Sequence, residues 1–168
     1  MAPVFDELLS ANERFVSDFD RGHLDMPPAR KVAVVTCMDA RLHPERFLGH
    51  ELGDAHVVRN AGGRVSDDAI RSLVISQRLL GTEEVVVIHH TDCGMLTFTN
   101  EQLAEKVQQE SGVDASGIDF LPFPDLEQSV RDDVGKLRSS ELIPDGIHIT
   151  GAVYDVKTGR VSEVADKA

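Results

Sequence analysis

Three features of the 168-residue chain predict an α/β fold, a mainly parallel central β-sheet flanked by helices with an N-terminal helical arm. Two continuously apolar runs, Val32-Ala33-Val34-Val35 and Val85-Val86-Val87-Ile88, read as strands buried on both faces. Segments of helical period alternate with the strand-like ones. Loops carrying Cys, Asp, Asn, Gly and His follow the strands, and in such sheets ligands sit at the carboxyl ends of strands.

The elements follow in order. Residues 5–19 read as an amphipathic helix with Phe5, Leu8, Leu9, Phe15, Val16 and Phe19 near one face. That face either packs on the core or docks on a second subunit. Gly22-His23 and Pro27-Pro28 interrupt regular structure. Lys31 to Cys37 is the first strand, 43–49 a short helical turn, and Ala55 to Arg59 the second strand. Asn60-Ala61-Gly62-Gly63 is either a tight turn or a loop presenting N–H groups to an anion. Ser66 is a helix N-cap, with Asp67 and Asp68 where the helix dipole favours acids. Ile70, Leu73, Val74, Gln77 and Leu80 form one helical face, and Gly81 is the C-cap. Glu84 to His89 is the third strand. Helices are expected over 99–110 and 125–139, with a loop at 111–124, then strands at Ile147 to Val156 and Val161 to Val164. No repeat or long linker divides the chain, so one domain is expected over 1–168, with 1–28 as the arm.

Hydrophobic content of 41% and charged content of 27% are ordinary for a globular protein. The net charge of −12 disfavours nucleic acid and anionic membranes as partners. No apolar run approaches the ~20 residues that span a bilayer. Met1-Ala2-Pro3-Val4-Phe5-Asp6 lacks the basic and apolar regions of a secretory signal, so a cytoplasmic location is expected.

Only two cysteines occur, Cys37 and Cys93. A disulfide is the simplest pairing, but a cytosolic chain of this size needs no staple and reducing conditions oppose one. If the two apolar strands are neighbours, Cys37 and the segment His90-Thr91-Asp92-Cys93 converge. Two thiolates and one imidazole form a zinc set with one position left over, as in a catalytic rather than a structural site. His89 competes with His90 for the metal. The two side chains leave a strand on opposite faces, so only one reaches it, and spacing alone leaves both open. Asp39 and Arg41 alternate with Cys37, so an extended backbone puts all three on one face. The pair is either an ordinary ion pair or a carboxylate held beside a metal. His23, His43, His50, His56 and His148 lack matching partners. Paired C-x-x-C, the H-x-E with P-C-x-x-C signature, H-E-x-x-H, the P-loop and G-x-S-x-G are all absent from the sequence.

Cys37-x-Asp39-x-Arg41 followed by His90-x-x-Cys93-Gly94 resembles the β-class carbonic anhydrases. The likeness runs from about residue 30 to 96, with Arg59-Asn60-Ala61-Gly62 between the motifs, and continues more weakly to the last strands. It implies Cys37, His90 and Cys93 as Zn2+ ligands, which favours His90 over His89. It implies Asp39 and Arg41 as the catalytic dyad, with Asp39 also able to fill the fourth metal position in a closed state. Ala61, Gly62 and Gly94 would help line a narrow substrate pocket.

The resemblance also implies reversible hydration of CO2 to bicarbonate by a zinc-bound hydroxide, with activity rising toward alkaline pH. A homodimer with the N-terminal helix across the partner would be the minimal unit, and dimers can pair into tetramers. The chain is short, like the compact bacterial members, and has no Trp, so the regulatory bicarbonate pocket of some members is not expected. Compact relatives that hydrolyse carbonyl sulfide (COS) with the same site supply the alternative activity. A non-catalytic zinc-stabilised module is the reading from another class.

Overall fold

The computed structural model describes residues 3–166, and Met1, Ala2, Lys167 and Ala168, at the ends of the expected unit and arm, lie outside the described residues. Its elements are α1 (Val4–Ser17), β1 (Val32–Cys37), α2 (Pro44–Leu48), β2 (Ala55–Asn60), α3 (Asp67–Arg78), β3 (Glu84–His90), α4 (Asn100–Ser111), α5 (Leu126–Arg138), β4 (His148–Tyr154) and β5 (Val161–Glu163). The five strands form one sheet in the order β2-β1-β3-β4-β5. The first four run parallel, and β5 turns back antiparallel on β4.

The apolar runs become the middle of this sheet. All six residues of β1 are buried, as expected of a strand between two parallel neighbours. Alternation sorts their side chains. Ala33, Val35, Val85 and Val87 join Ile70 and Leu73 of α3 and Val130, Val134 and Leu137 of α5 in the main core. Val34 and Ile88 lie in a separate cluster with Phe47 and Leu48 of α2. Gly151 lets α5 press on β4, because a Cβ there would sit 2.5 Å from Val130 Cγ1.

Capping chemistry sets the helix ends. The Ser66 hydroxyl accepts from Ala69 N–H, and Asp125 accepts from Gln128 N–H. Thr99 and Gln102 form a reciprocal capping box, so Thr99 stands just outside α4. Helix α3 stops at Arg78, short of Leu80, and Gly81 closes it with a left-handed φ of 72° and an N–H donated to Gln77 O. Helix α1 buries none of its residues, so the apolar face at Phe5, Leu8, Leu9, Phe15 and Val16 is not core. Among the described residues no helix is long and apolar enough to cross a membrane.

Candidate metal centre

The adjacency of β1 and β3 in parallel register brings their carboxyl ends together, with Thr36 opposite Ile88 and its hydroxyl donating to Ile88 O at 2.8 Å. Cys37 ends β1, His90 ends β3, and the turn after β3 carries Cys93. One donor atom from each of Cys37, His90 and Cys93 lies within 4.8 Å of the other two. All three residues are buried, and both cysteines are free thiols. Asn60 ends β2 with extended backbone, and Ala61–Gly63 forms a single 3-10 turn packed on the same strand ends. Gly63 makes that approach at φ 69°, where a Cβ would lie 2.9 Å from Cys37 N and from Thr36 C.

The donor set is prepared for a cation. His90 Nδ1 faces Thr91 O at 2.9 Å, which makes Nδ1 the protonated nitrogen and leaves a lone pair on Nε2. Nε2 is buried without a hydrogen-bond partner. Buried polar atoms are rarely left in that state, and two soft sulfurs and one imidazole nitrogen suit zinc. The Cys93 thiol hydrogen-bonds Cys37 and, against burial, favours the Cys37 thiolate, assisted by the adjacent His90 imidazole and then by backbone N–H groups of Asp39 and Gly62. The same contact and burial push the Cys93 thiol up. Burial opposes charging His90, but the adjacent Cys37 thiolate outweighs it and raises the pKa. Excess negative charge and an unfilled nitrogen lone pair therefore meet at one point.

Asp39 and Arg41 stand beside this cluster, but not on an extended strand. The strand ends at Cys37 and the chain turns, with Leu42 N–H donating to Asp39 O. The expectation of a shared strand face is thus corrected: the turn brings Arg41 onto Asp39. Arg41 N–H and Nε donate to Asp39 Oδ1, both at 2.9 Å, and its terminal nitrogen donates to Oδ2 at 2.7 Å. The hydrogen bonds from Arg41 hold the Asp39 carboxyl well below the usual carboxylate range. Asp39 Oδ2 lies 3.9 Å from His90 Nε2.

A profile of the family described as "Carbonic anhydrase" matches residues 32–119. "Beta-carbonic anhydrase 1" of Mycobacterium tuberculosis is 45% identical over 163 residues, covering 96% of this chain and 98% of that protein. The chain belongs to the β-carbonic anhydrase family. The crystal structure of carbonic anhydrase from Streptococcus mutans matches with a TM-score of 0.95 at 55% identity, over 98% of this chain and 99% of that one. "Carbon disulfide hydrolase" of an Acidianus strain is also related, at 40% identity over 159 residues, 81% of this chain and 78% of that protein.

Several side chains around this β-carbonic anhydrase site had no role in the sequence pattern. Arg59 of β2 donates to Cys37 O at 3.0 Å and to Asp39 O at 2.8 Å, pinning the segment between Cys37 and the Asp39 carboxylate. Asp92 accepts from Arg41 at 2.6 Å. His89 points away from the metal cluster. Its Nδ1 meets Ser129 Oγ at 2.7 Å, and its Nε2 lies 3.2 Å from Asp133. Asp133 in turn takes a two-pronged bond from Arg64 and the N–H of Val65. Gly62 is buried against Met95 and Phe123, whereas Ala61 and Gly94 are exposed. His56 bonds Ser76, His23 lies near Asp20 O, and His148 lies near Thr150, each away from the cluster. Arg59 had a signal in sequence, its place in Arg59-Asn60-Ala61-Gly62, whereas Asp92, Ser129 and Asp133 meet their partners across 40 to 69 residues of chain.

Proposed function

We propose that this protein is a zinc enzyme for the reversible hydration of CO2 to bicarbonate. Cys37, His90 and Cys93 are the metal ligands, and Asp39 with Arg41 is the catalytic pair. The observation that carries the reading is the buried, partnerless Nε2 of His90 facing two thiols, with an ionised carboxylate 3.9 Å away. Three protein donors leave one position open in a tetrahedral set, which suits catalysis better than a purely structural role.

Zinc, when bound, supplies a Lewis acid that acidifies water. The protein's own residues do the rest. Asp39, fixed by Arg41, is an acceptor only, so it takes a hydrogen bond from the reacting water and turns an oxygen lone pair toward CO2. His90 is oriented through Thr91 O, and Arg59 keeps Cys37 and Asp39 at a fixed separation. Ala61, Gly62 and Gly94 are the residues assigned to the small-substrate pocket in this reading. The released proton passes to buffer. Asp39 is also the residue positioned to occupy the open position in a closed state. The working unit is a homodimer, with dimers able to pair into tetramers, and the cytoplasm is its compartment.

A second reading has support in the related carbon disulfide hydrolases. The same site would then hydrolyse a sulfur analogue of CO2, COS or CS2, releasing hydrogen sulfide. Stopped-flow kcat/KM of the zinc-loaded protein, compared across CO2, COS and CS2 at mildly alkaline pH, separates the two. CO2 hydration dominant by orders of magnitude is expected. Dominant cleavage of a sulfur substrate would transfer the proposal to the second reading. A zinc-bound protein that turns over none of them would be a structural zinc module. Asp39→Ala supports the enzymatic reading if zinc stays bound while turnover falls about 100-fold or more.

A further inference from the structure

We propose that Asp92 is a positioning residue for the Asp39–Arg41 pair, holding the Arg41 guanidinium so that Asp39 stays beside the metal cluster rather than on it. The proposal rests on the reading of Cys37, His90 and Cys93 as the metal ligands. Its basis is the way Arg41 is shared. Nε and one terminal nitrogen form a fork on the two oxygens of Asp39, at 2.9 and 2.7 Å. The other terminal nitrogen, directed away from that fork, donates to Asp92 Oδ2 at 2.6 Å. The nitrogen that holds Asp39 Oδ2 also donates to Asp92 O at 2.9 Å. A guanidinium is planar, so contacts on two edges fix its orientation, where the Asp39 fork alone would let the pair move together.

The backbone at Asp92 is shaped for this contact. Asp92 has φ 57°, a conformation that side chains other than those of Asn and Asp seldom adopt. That turn lies between His90 and Cys93, whose side chains go inward while Asp92 stays exposed and reaches Arg41. The side chains of Arg41 and Asp92 are 47% and 68% exposed. Ion pairs this exposed contribute little to folding stability, so the value of the contact lies in direction. Asp39 Oδ2 is 3.9 Å from His90 Nε2, close enough that releasing the guanidinium brings the carboxylate within reach of the cluster.

The test uses the full-length protein loaded with cobalt(II) and titrated with thiocyanate at one fixed pH. The visible bands report whether the fourth metal position is free for an exchangeable anion. Asp92→Gly accepts the left-handed backbone and removes the carboxylate. Asp92→Asn keeps the backbone and a neutral acceptor. Thiocyanate affinity and CO2 kcat/KM are expected to fall about fivefold together in Asp92→Gly, with Asp92→Asn between it and wild type, and with thermal midpoints near wild type. Equal anion affinity in wild type and Asp92→Gly overturns the proposal. So does a loss that tracks a lowered thermal midpoint, or one that Asp92→Asn does not partly rescue. A wild-type protein that takes up no cobalt overturns instead the metal reading beneath it.

Discussion

Cys37, His90 and Cys93 each offer one donor, so removing one leaves a two-donor set with little hold on zinc. Cys37→Ala is expected to lower zinc content from about one per chain to near zero after dialysis against a weak chelator, read by elemental analysis. Full zinc retention in that variant would remove Cys37 from the ligand set. The buried carboxylate of Asp133 gives a second prediction. Burial raises its pKa, but His89, Arg64 and the N–H of Val65 outweigh burial, and the folded value lies below the usual one. The stability it contributes is therefore fully present above the unfolded pKa of about 4 and is lost as pH falls through the folded value. Asp133→Asn is expected to cost about 3 kcal/mol at pH 7, because it leaves Arg64 partly buried and unpaired. Urea unfolding between pH 7 and 3 should show that gap constant down to about pH 5 and narrowing below 4. A gap that widened on acidification would contradict this assignment. At this scale the donor types and the Asp39–Arg41 pairing were legible in sequence, because local spacing carries them. Asp133 and Ser129 were not, since α5 meets His89 and Arg64 only after the chain has folded over 40 to 69 residues of separation.

The elements were readable where local chemistry specifies them. The valine runs, the caps at Ser66 and Thr99, and the turn at Gly81 all act within a few residues. The alternation that links Cys37, Asp39 and Arg41 in sequence does not continue as strand, because the chain turns after Cys37. Arg41 N–H to Asp39 Oδ1 and Leu42 N–H to Asp39 O close the turn locally, and Arg59 from β2 holds the carbonyls of Cys37 and Asp39. Packing of α5 on β4 was also invisible, and it is tested at Gly151. Adding a Cβ there places it 2.5 Å from Val130 Cγ1 and 3.0 Å from Val134 Cγ2. Gly151→Ala is expected to destabilise by about 1–3 kcal/mol through overpacking. Combining it with Val130→Ala, which opens space at the same contact, should cost less than the sum of the single changes. Strict additivity in urea melts would mean that α5 shifts freely and that the contact does not set its position.

At the scale of the molecule, the unexplained surface is α1. Phe5, Leu8, Leu9, Phe15, Val16 and, just beyond it, Phe19 all remain exposed, and no residue of the helix is buried in its own chain. Contiguous apolar faces of this kind mark association surfaces. The amphipathic pattern left core packing and docking as alternatives, and core packing is removed by the absence of buried residues on α1. Docking on a second copy is the expectation that remains from the family resemblance. A net charge of −12 per chain opposes that association, so apolar burial must outweigh repulsion. Two consequences follow, both readable by sedimentation velocity at micromolar concentration. The wild type should sediment as a dimer or larger, and raising salt should strengthen the association, because screening acts on the repulsion and leaves the apolar term in place. Leu8→Asp combined with Phe15→Asp should give monomers with an unchanged far-ultraviolet spectrum in the sheet region, since neither side chain touches the core. A wild type that is monomeric at all salt concentrations would mean that α1 covers something other than a second copy of this chain. Metal content of the monomeric variant should stay near one per chain, because the proposed ligands all come from β1, β3 and the turn after β3 of the same protomer.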